Sequence, residues 1–236
     1  LLRAWHIRQL LKAYARLFKP ENILDAGSGF GQYTYRLNRL FPEANILAVD
    51  LNRELVDASN LFFKKIGKIN VHFETADLTQ FHRNEEFELA LCIDVLEHIK
   101  EDEKVFANLY HALKEGGWLL ISTPSDRGGS DVKCPQDSSF IEEHVRSGYS
   151  ALDIEKKLRQ AGFSHVEVRY SYGLPGQISW KLSMKYPLLL LNFHRIFFLL
   201  LPLWYLFAFP VCLALNFLDV RMQHPTGTGL IVKAVR

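Results

Sequence analysis

Through the first two thirds of the chain, short apolar runs alternate with amphipathic stretches, and this alternation predicts strands and helices in turn. Ile23 and Leu24 are the body of a short strand, and residues 33–40, with Leu37 and Leu40 on one face, predict the helix after it. Residues 44–50 (ANILAVD) and 70–77 (NVHFETAD) predict a second and a third strand, each ending in an acid. Residues 87–94 (FELALCID) are continuously apolar, as a parallel strand buried on both faces requires. Residues 113–124 predict a helix end, a Gly-Gly turn and a fifth strand closed by Pro124. Further on, residues 150–162 predict an amphipathic helix with Leu152, Ile154 and Leu158 inward, and residues 165–172 alternate as a strand does. Residues 228–235 predict the final strand, and residues 1–18 an N-terminal helix whose apolar positions are interleaved with Arg and Lys.

The chemistry concentrates where the first strand ends. Residues 22–31 read NILDAGSGFG, so Asp25 closes the strand and Gly27, Gly29 and Gly31 form a turn that lets a ligand approach the backbone. The spacing is GxGxG rather than the GxGxxG that seats a pyrophosphate on a helix N-terminus. A carboxylate at Asp25 would repel a pyrophosphate and suit a ligand bearing an ammonium group. Asp50 follows Gly31 by nineteen residues at the end of the second strand, placed to accept hydrogen bonds from both hydroxyls of a ribose. Each acid has a plainer reading: Asp50 and Asp77 as strand-end or capping residues, Asp94 as the cap of a helix beginning at Val95.

Taken in order, the acid with GxGxG, Asp50, the Ala76-Asp77-Leu78 strand end and the DVLEHI string of residues 94–99 resemble the class I S-adenosylmethionine-dependent methyltransferases of small-molecule type. The resemblance covers roughly residues 20–172 and the last strand. It implies S-adenosyl-L-methionine as cofactor, with Asp25, Gly27, Gly29 and Gly31 at its methionine end and Asp50 and Leu51 at the ribose. Asp77 would then accept from the adenine amino group while the Leu78 amide reaches a ring nitrogen, and Asp94 would face the methyl-transfer region. The implied fold is α/β: a Rossmann-like seven-stranded sheet, mostly parallel with an antiparallel last strand, helices on both faces, and an apolar helical insertion before the last strand. A single domain over residues 1–236 suffices.

Residues 125–150 turn to Ser, Gly, Asp and charged side chains and read as a long loop over the carboxyl ends of the strands. Its end, EEHVRSGY, supplies the acceptor-side candidates: His144 as a base for a hydroxyl acceptor, and Arg146 and Tyr149 as substrate contacts. Arg146 has an alternative partner in Glu142. Methyl transfer needs chiefly alignment of an activated sulfonium with its acceptor, and oxygen is the preferred acceptor atom.

Where most relatives have a short hairpin, about fifty residues, 174–224, precede the last strand. Twenty-three of them, 196–218, carry no charge, enough by length to cross a bilayer. Yet the flanking strands belong to one sheet, so the chain must leave and return on the same side. Two spans need about forty apolar residues, and Pro202 and Pro210 are expected to interrupt the helix. The preferred expectation is a monotopic membrane contact through residues 176–222, with Lys181, Lys185, Arg195 and Arg221 at its edges and Trp180, Trp204, Tyr186 and Tyr205 at interfacial depth. A homodimer interface and a pocket lid remain open, as does a non-catalytic scaffold that binds a membrane partner.

A net charge of +2 without a basic run argues against nucleic acid. Cys92, Cys134 and Cys212 are three and widely spaced, with no metal-ligand spacing, which suits a reducing cytoplasm; with the expected membrane contact, the expected location is the cytoplasmic side, at the inner face of a membrane. The chain opens on Leu1 rather than Met, so a preceding targeting segment stays open. The expected acceptor is a small, lipophilic or lipid-linked molecule.

Overall fold

The computed structural model describes residues 2–128, 145–146 and 148–236. Its centre is a seven-stranded sheet in the order β3-β2-β1-β4-β5-β7-β6. The strands are β1 (Asn22–Ala26), β2 (Asn45–Asp50), β3 (Val71–Thr75), β4 (Phe87–Ile93), β5 (Leu113–Pro124), β6 (His165–Ser171) and β7 (Gly229–Val235). The first five run parallel, and β7 is antiparallel to both β5 and β6. The Gly-Gly pair lies within β5, which begins directly where the preceding helix stops; Gly116, at φ +75°, takes the bend.

Two cores form because alternate residues of the central strands point to opposite faces. On one face Leu24, Ala90, Cys92, Leu119 and Ile121 pack under α4 (Asp102–Ala112) and α5 (Ala151–Gln160). On the other, Ile23, Ile46, Leu89, Leu91 and Leu120 meet α1 (Leu2–Leu17), α2 (Gln32–Leu40) and α3 (Arg53–Lys65). Ile154 and Leu158 of α5 are buried as their spacing predicts, but Leu152 is 80% exposed, since it falls on the outer side of the first helical turn.

Between β6 and β7 the chain makes a helical hairpin. One limb is α6 (Leu174–Trp180), a π-helical turn (Lys181–Lys185) and α7 (Tyr186–Phe193); a 3₁₀ segment (Arg195–Leu200) leads into α8 (Leu201–Arg221). Trp204 Nε1 donates to Leu182 O (3.0 Å) and the Tyr205 hydroxyl to Ser183 O (2.8 Å), pinning the limbs together where the first winds as a π turn. The prolines do not break α8. Pro202 stands in its first turn, where the missing N–H has no intrahelical partner to lose, and the helix continues through Pro210. Ala208, Cys212, Asn216 and Asp219 form the narrow stripe that α8 buries.

Asp219 fastens this hairpin to the sheet. Its side chain is fully buried and accepts from the backbone amides of Tyr172 (3.2 Å) and Gly176 (2.9 Å). His6 Nε2 of α1 lies 2.9 Å from the same carboxylate and His224 Nε2 lies 3.3 Å from it. A β-carbon on Gly176 would sit 2.6 Å from Asp219 Oδ2, so only glycine admits this approach. Burial pushes the Asp219 pKa up, but the His6 hydrogen bond and the neighbouring imidazoles overrule it and hold the pKa below the ordinary carboxylate value. The contribution to stability is therefore complete at neutral pH and lost as acid titration passes down through that depressed pKa. Asp219→Ala strips His6 and the amides of Tyr172 and Gly176 of their acceptor, and His224 of its ion-pair partner, and is expected to cost about 3–5 kcal/mol in chemical denaturation at pH 7; a loss under about 1 kcal/mol would show that the hub is not structural.

Candidate active site

At the carboxyl edge of the sheet the connections diverge, from β1 toward β2 on one side while β4 lies on the other. Such a switch point opens a crevice. The turn after β1 occupies it. Gly27, Gly29 and Gly31 all have left-handed backbones, at φ +79°, +54° and +79°. The amides of Gly27 and Ser28 both donate to Val49 O, at 2.8 and 2.9 Å, which folds the turn back over β2. A side chain on Gly27 would collide with Val95, and one on Gly31 with Phe73. At Gly29 nothing stands within 4 Å of where a β-carbon would sit, so this glycine fronts open space.

Asp50 ties the turn in place. Its Oδ2 accepts from the Gly29 amide (2.8 Å) and its Oδ1 from the Asn52 amide (2.9 Å). Asn52 in turn caps α3 through the amides of Glu54 and Leu55. A carboxylate with four lone-pair directions keeps capacity for ligand hydroxyls beyond these two bonds. Leu51 beside it is 73% exposed, a large apolar side chain at the crevice edge. Asp77 caps a 3₁₀ turn, its Oδ1 accepting from the amide and the hydroxyl of Thr79, both at 2.8 Å. Leu78 is buried, and its carbonyl accepts from Asn108. Asp50 and Asp77 thus do serve as strand-end anchors, and the capping reading and the ligand reading coexist.

Asp25 is more enclosed than a strand-tip acid meant to touch a ligand. It is 2% exposed, and the Thr34 hydroxyl donates to its Oδ2 at 2.6 Å from the start of α2. Burial raises its pKa to about 6, with the Asp50 charge adding to the shift and the Thr34 hydrogen bonds opposing it.

Asp94 ends β4 in a left-handed conformation (φ +56°), its amide donating to Ser122 O at 2.8 Å. No α-helix begins at Val95; a 3₁₀ turn (Leu96–His98) follows, and the Asp94 side chain pairs instead with Arg3 of α1. Its Oδ1 is buried with no hydrogen-bond partner among the described residues. Burial raises the Asp94 pKa to about 6, against the pull of Arg3. The tyrosines Tyr33 and Tyr172 feel both Arg3 and Asp94, and their pKa values are raised chiefly by burial. Glu97 is buried against the Thr123 hydroxyl (3.2 Å). Arg3, Tyr33 and Tyr172 were not legible as neighbours of Asp94, because each lies in a segment whose pattern reports packing only.

Two expected acceptor contacts are relocated. The Tyr149 side chain is 1% exposed and its hydroxyl donates to Asp102 Oδ2 at 2.6 Å. Arg146 pairs with the same carboxylate and donates to Ile99 O at 2.8 Å, its guanidinium stacked 4.8 Å from the Tyr149 ring. Lys157 completes the cluster at 2.9 Å. Burial opposes ionisation of Asp102, yet Tyr149, Lys157 and Arg146 hold its pKa below the ordinary value. Arg146 and Tyr149 therefore clamp the loop end onto α4 and α5, and Tyr149 has no face left for an acceptor. His144 lies outside the described residues, as does most of the segment 125–150.

A turn held open at Gly29, an acid beneath it and two buried oxygens without a partner among the described residues, Ser28 Oγ and Asp94 Oδ1, form a cradle with spare hydrogen-bonding capacity. It fits S-adenosylmethionine. A family model described as a methyltransferase domain matches residues 2–168. The chain belongs to this methyltransferase family, whose methyl donor is S-adenosylmethionine. It is 24% identical over 187 residues to a malonyl-[acyl-carrier protein] O-methyltransferase of Hahella chejuensis, covering 67% of this chain and 66% of that one. It is 28% identical over 151 residues to phosphoethanolamine N-methyltransferase 1 of Triticum aestivum, covering 62% of this chain but 29% of the relative. The chain thus spans less than a third of the wheat enzyme's length. In fold it is similar to phosphoethanolamine N-methyltransferase 2 of Haemonchus contortus, solved with S-adenosyl-L-methionine, with a TM-score of 0.67 and 18% identity over 97% of this chain and 51% of that one.

Two predictions follow from the cradle's charges. Asp50→Ala removes both the turn's tether and a charge-assisted acceptor, and calorimetry is expected to show cofactor binding weakened by about 1–3 kcal/mol; unchanged affinity would remove Asp50 from the site. For Asp25, the folded pKa of about 6 exceeds the ordinary 3.8. The unfolded chain then ionises first, and the stability of the cofactor-free protein falls as pH rises between those values. Asp25→Asn is expected to raise the melting temperature at pH 7.5 and leave it unchanged at pH 3.5. Equal effects at both pH values would contradict the burial account.

Proposed function

We propose that this protein transfers the methyl group of S-adenosylmethionine to a small lipophilic or lipid-linked acceptor, at a membrane face where its helical hairpin lies. The observation that carries the reading is the hairpin's outer surface. Phe198, Leu199, Leu203, Leu206 and Phe207 are all more than half exposed, and the most apolar stretch of residues 196–221 is 6% buried. A patch of this kind needs a cover.

A leaflet is the cover that fits the charges. The hairpin's first limb is interrupted by Lys181 and Lys185, so its charge-free helical stretches are the seven residues of α6 and the eight of α7. Eight residues reach about 12 Å as a helix, too short for the roughly 30 Å hydrocarbon core. A two-span hairpin is thereby disfavoured and a monotopic one favoured. Trp204 and Tyr205 stand level with Leu182 and Ser183, beside those lysines, as interfacial aromatic rings would.

In the cradle, Asp50 would hold the ribose hydroxyls, Asp77 and the Leu78 amide the adenine, and the Gly27–Gly31 turn the methionine end, over the field of Asp25. S-adenosylmethionine supplies a methyl group activated on a sulfonium. The residues supply alignment: Asp94, Tyr33 and Tyr172 border the region an acceptor would enter, with Arg3 balancing the Asp94 charge. Oxygen is the preferred acceptor atom, and His144 the residue to take its proton.

Vesicle flotation tests the membrane part. The full chain is expected to float with phospholipid vesicles, and a Phe198→Asp, Leu203→Asp, Phe207→Asp variant to remain below while still binding S-adenosylmethionine. A wild-type chain that stays in the soluble fraction as a dimer would overturn the membrane reading in favour of a subunit interface.

A further inference from the structure

Between α1 and α2 runs a groove of about 380 Å³, floored by Trp5, Leu11, Tyr33 and Leu40 and rimmed by Arg8, Lys12, Arg36 and Arg39. No acid lines it. The sequence makes the imbalance sharper: α1 (LRAWHIRQLLKAYARL) and α2 (QYTYRLNRL) contain Arg or Lys at 3, 8, 12, 16, 36 and 39 and no Asp or Glu at all. In a chain whose net charge is +2, such segregation is a local feature and not a general excess. Arg8, Lys12, Arg36 and Arg39 are exposed, and no ion pair involving them is present among the described residues. The Arg36 guanidinium lies 5.7 Å from the Tyr33 ring centre, which keeps it over the apolar floor.

An apolar floor with a cationic rim is complementary to a phosphate on an acyl stem. α1 carries the groove on one side and, on nearly the opposite side, His6, which meets Asp219 of α8. We propose that the α1–α2 groove is an anionic-phospholipid docking site, which selects a negatively charged bilayer and adds an electrostatic anchor to the hydrophobic one. The proposal rests on the membrane reading and adds headgroup selectivity to it, which the hairpin alone does not provide.

Each Lys or Arg near an anionic surface is worth roughly fivefold in partitioning, so four of them amount to several hundredfold at most, reduced by salt within a Debye length. The test compares phosphatidylcholine vesicles with an equal mixture of phosphatidylcholine and phosphatidylglycerol, at low and high salt, by flotation of the full chain. The wild type is expected to prefer the anionic vesicles by about a hundredfold, with most of the preference lost in high salt. An Arg8→Glu, Lys12→Glu, Arg36→Glu, Arg39→Glu variant is expected to bind both vesicles alike, at the wild-type level for phosphatidylcholine. Because four reversals on two helices threaten folding, an Arg→Gln, Lys→Gln set at the same positions is measured in parallel, its circular dichroism matched to wild type. Equal wild-type binding to both vesicles, or a preference that survives in the folded Gln set, would overturn the groove while leaving the membrane reading intact. No binding to either vesicle would overturn the membrane reading itself.

Discussion

The burial of the central strands on both faces is the constraint from which the rest of the structure follows. Leu24, Leu89, Ala90 and Leu91 are fully enclosed, so neither face of the sheet is open to a ligand. Only the strand ends remain, and among them the gap where the connections from β1 and β4 part. Asp25, Asp50, Asp77 and Asp94 lie at or just beyond the ends of β1, β2, β3 and β4. Burial raises the pKa of Asp25 and of Asp94 to about 6, so both carboxylates are costly to ionise there. A cofactor with hydroxyl, ammonium and sulfonium groups would relieve that cost.

The second organising element is α1, which touches both ends of the molecule's chemistry. Arg3 pairs with Asp94 at the crevice, and His6, one turn along, meets Asp219 beneath the hairpin. Tyr172 joins them from the other side: its amide donates to Asp219 while its ring feels Arg3 and Asp94. The insertion is therefore fixed to the same few residues that surround Asp94. An acceptor drawn from a leaflet would arrive beside the site rather than across solvent.

Most of the sheet was legible in the sequence because its strands are short, apolar and bounded by acids, Gly or Pro. Residues 87–94 needed no alternation to be read as a strand, since a parallel strand covered on both faces has none. Errors came where tertiary contact overrides local pattern. Pro210 reads as a helix breaker, yet α8 accommodates it. Leu152 fits the helical period but falls on the solvent side of α5. Tyr149 and Arg146 look like ligand contacts in a polar loop, and their true partner, Asp102, lies more than forty residues away with no local signal of the pairing. Arg3 and Asp94 are separated by ninety-one residues, which no periodicity can bridge.

The account rests on a methyl donor bound at the crevice and an acceptor met at the membrane. The most direct measurement is transfer of isotopically labelled methyl from S-adenosylmethionine in the presence of a total lipid extract, with the label followed into organic and aqueous phases. The account predicts label in a lipid-phase product with the wild-type chain and its loss with Asp50→Ala. Label that appears only in water-soluble products, or transfer to lipid that is indifferent to Asp50, would contradict it.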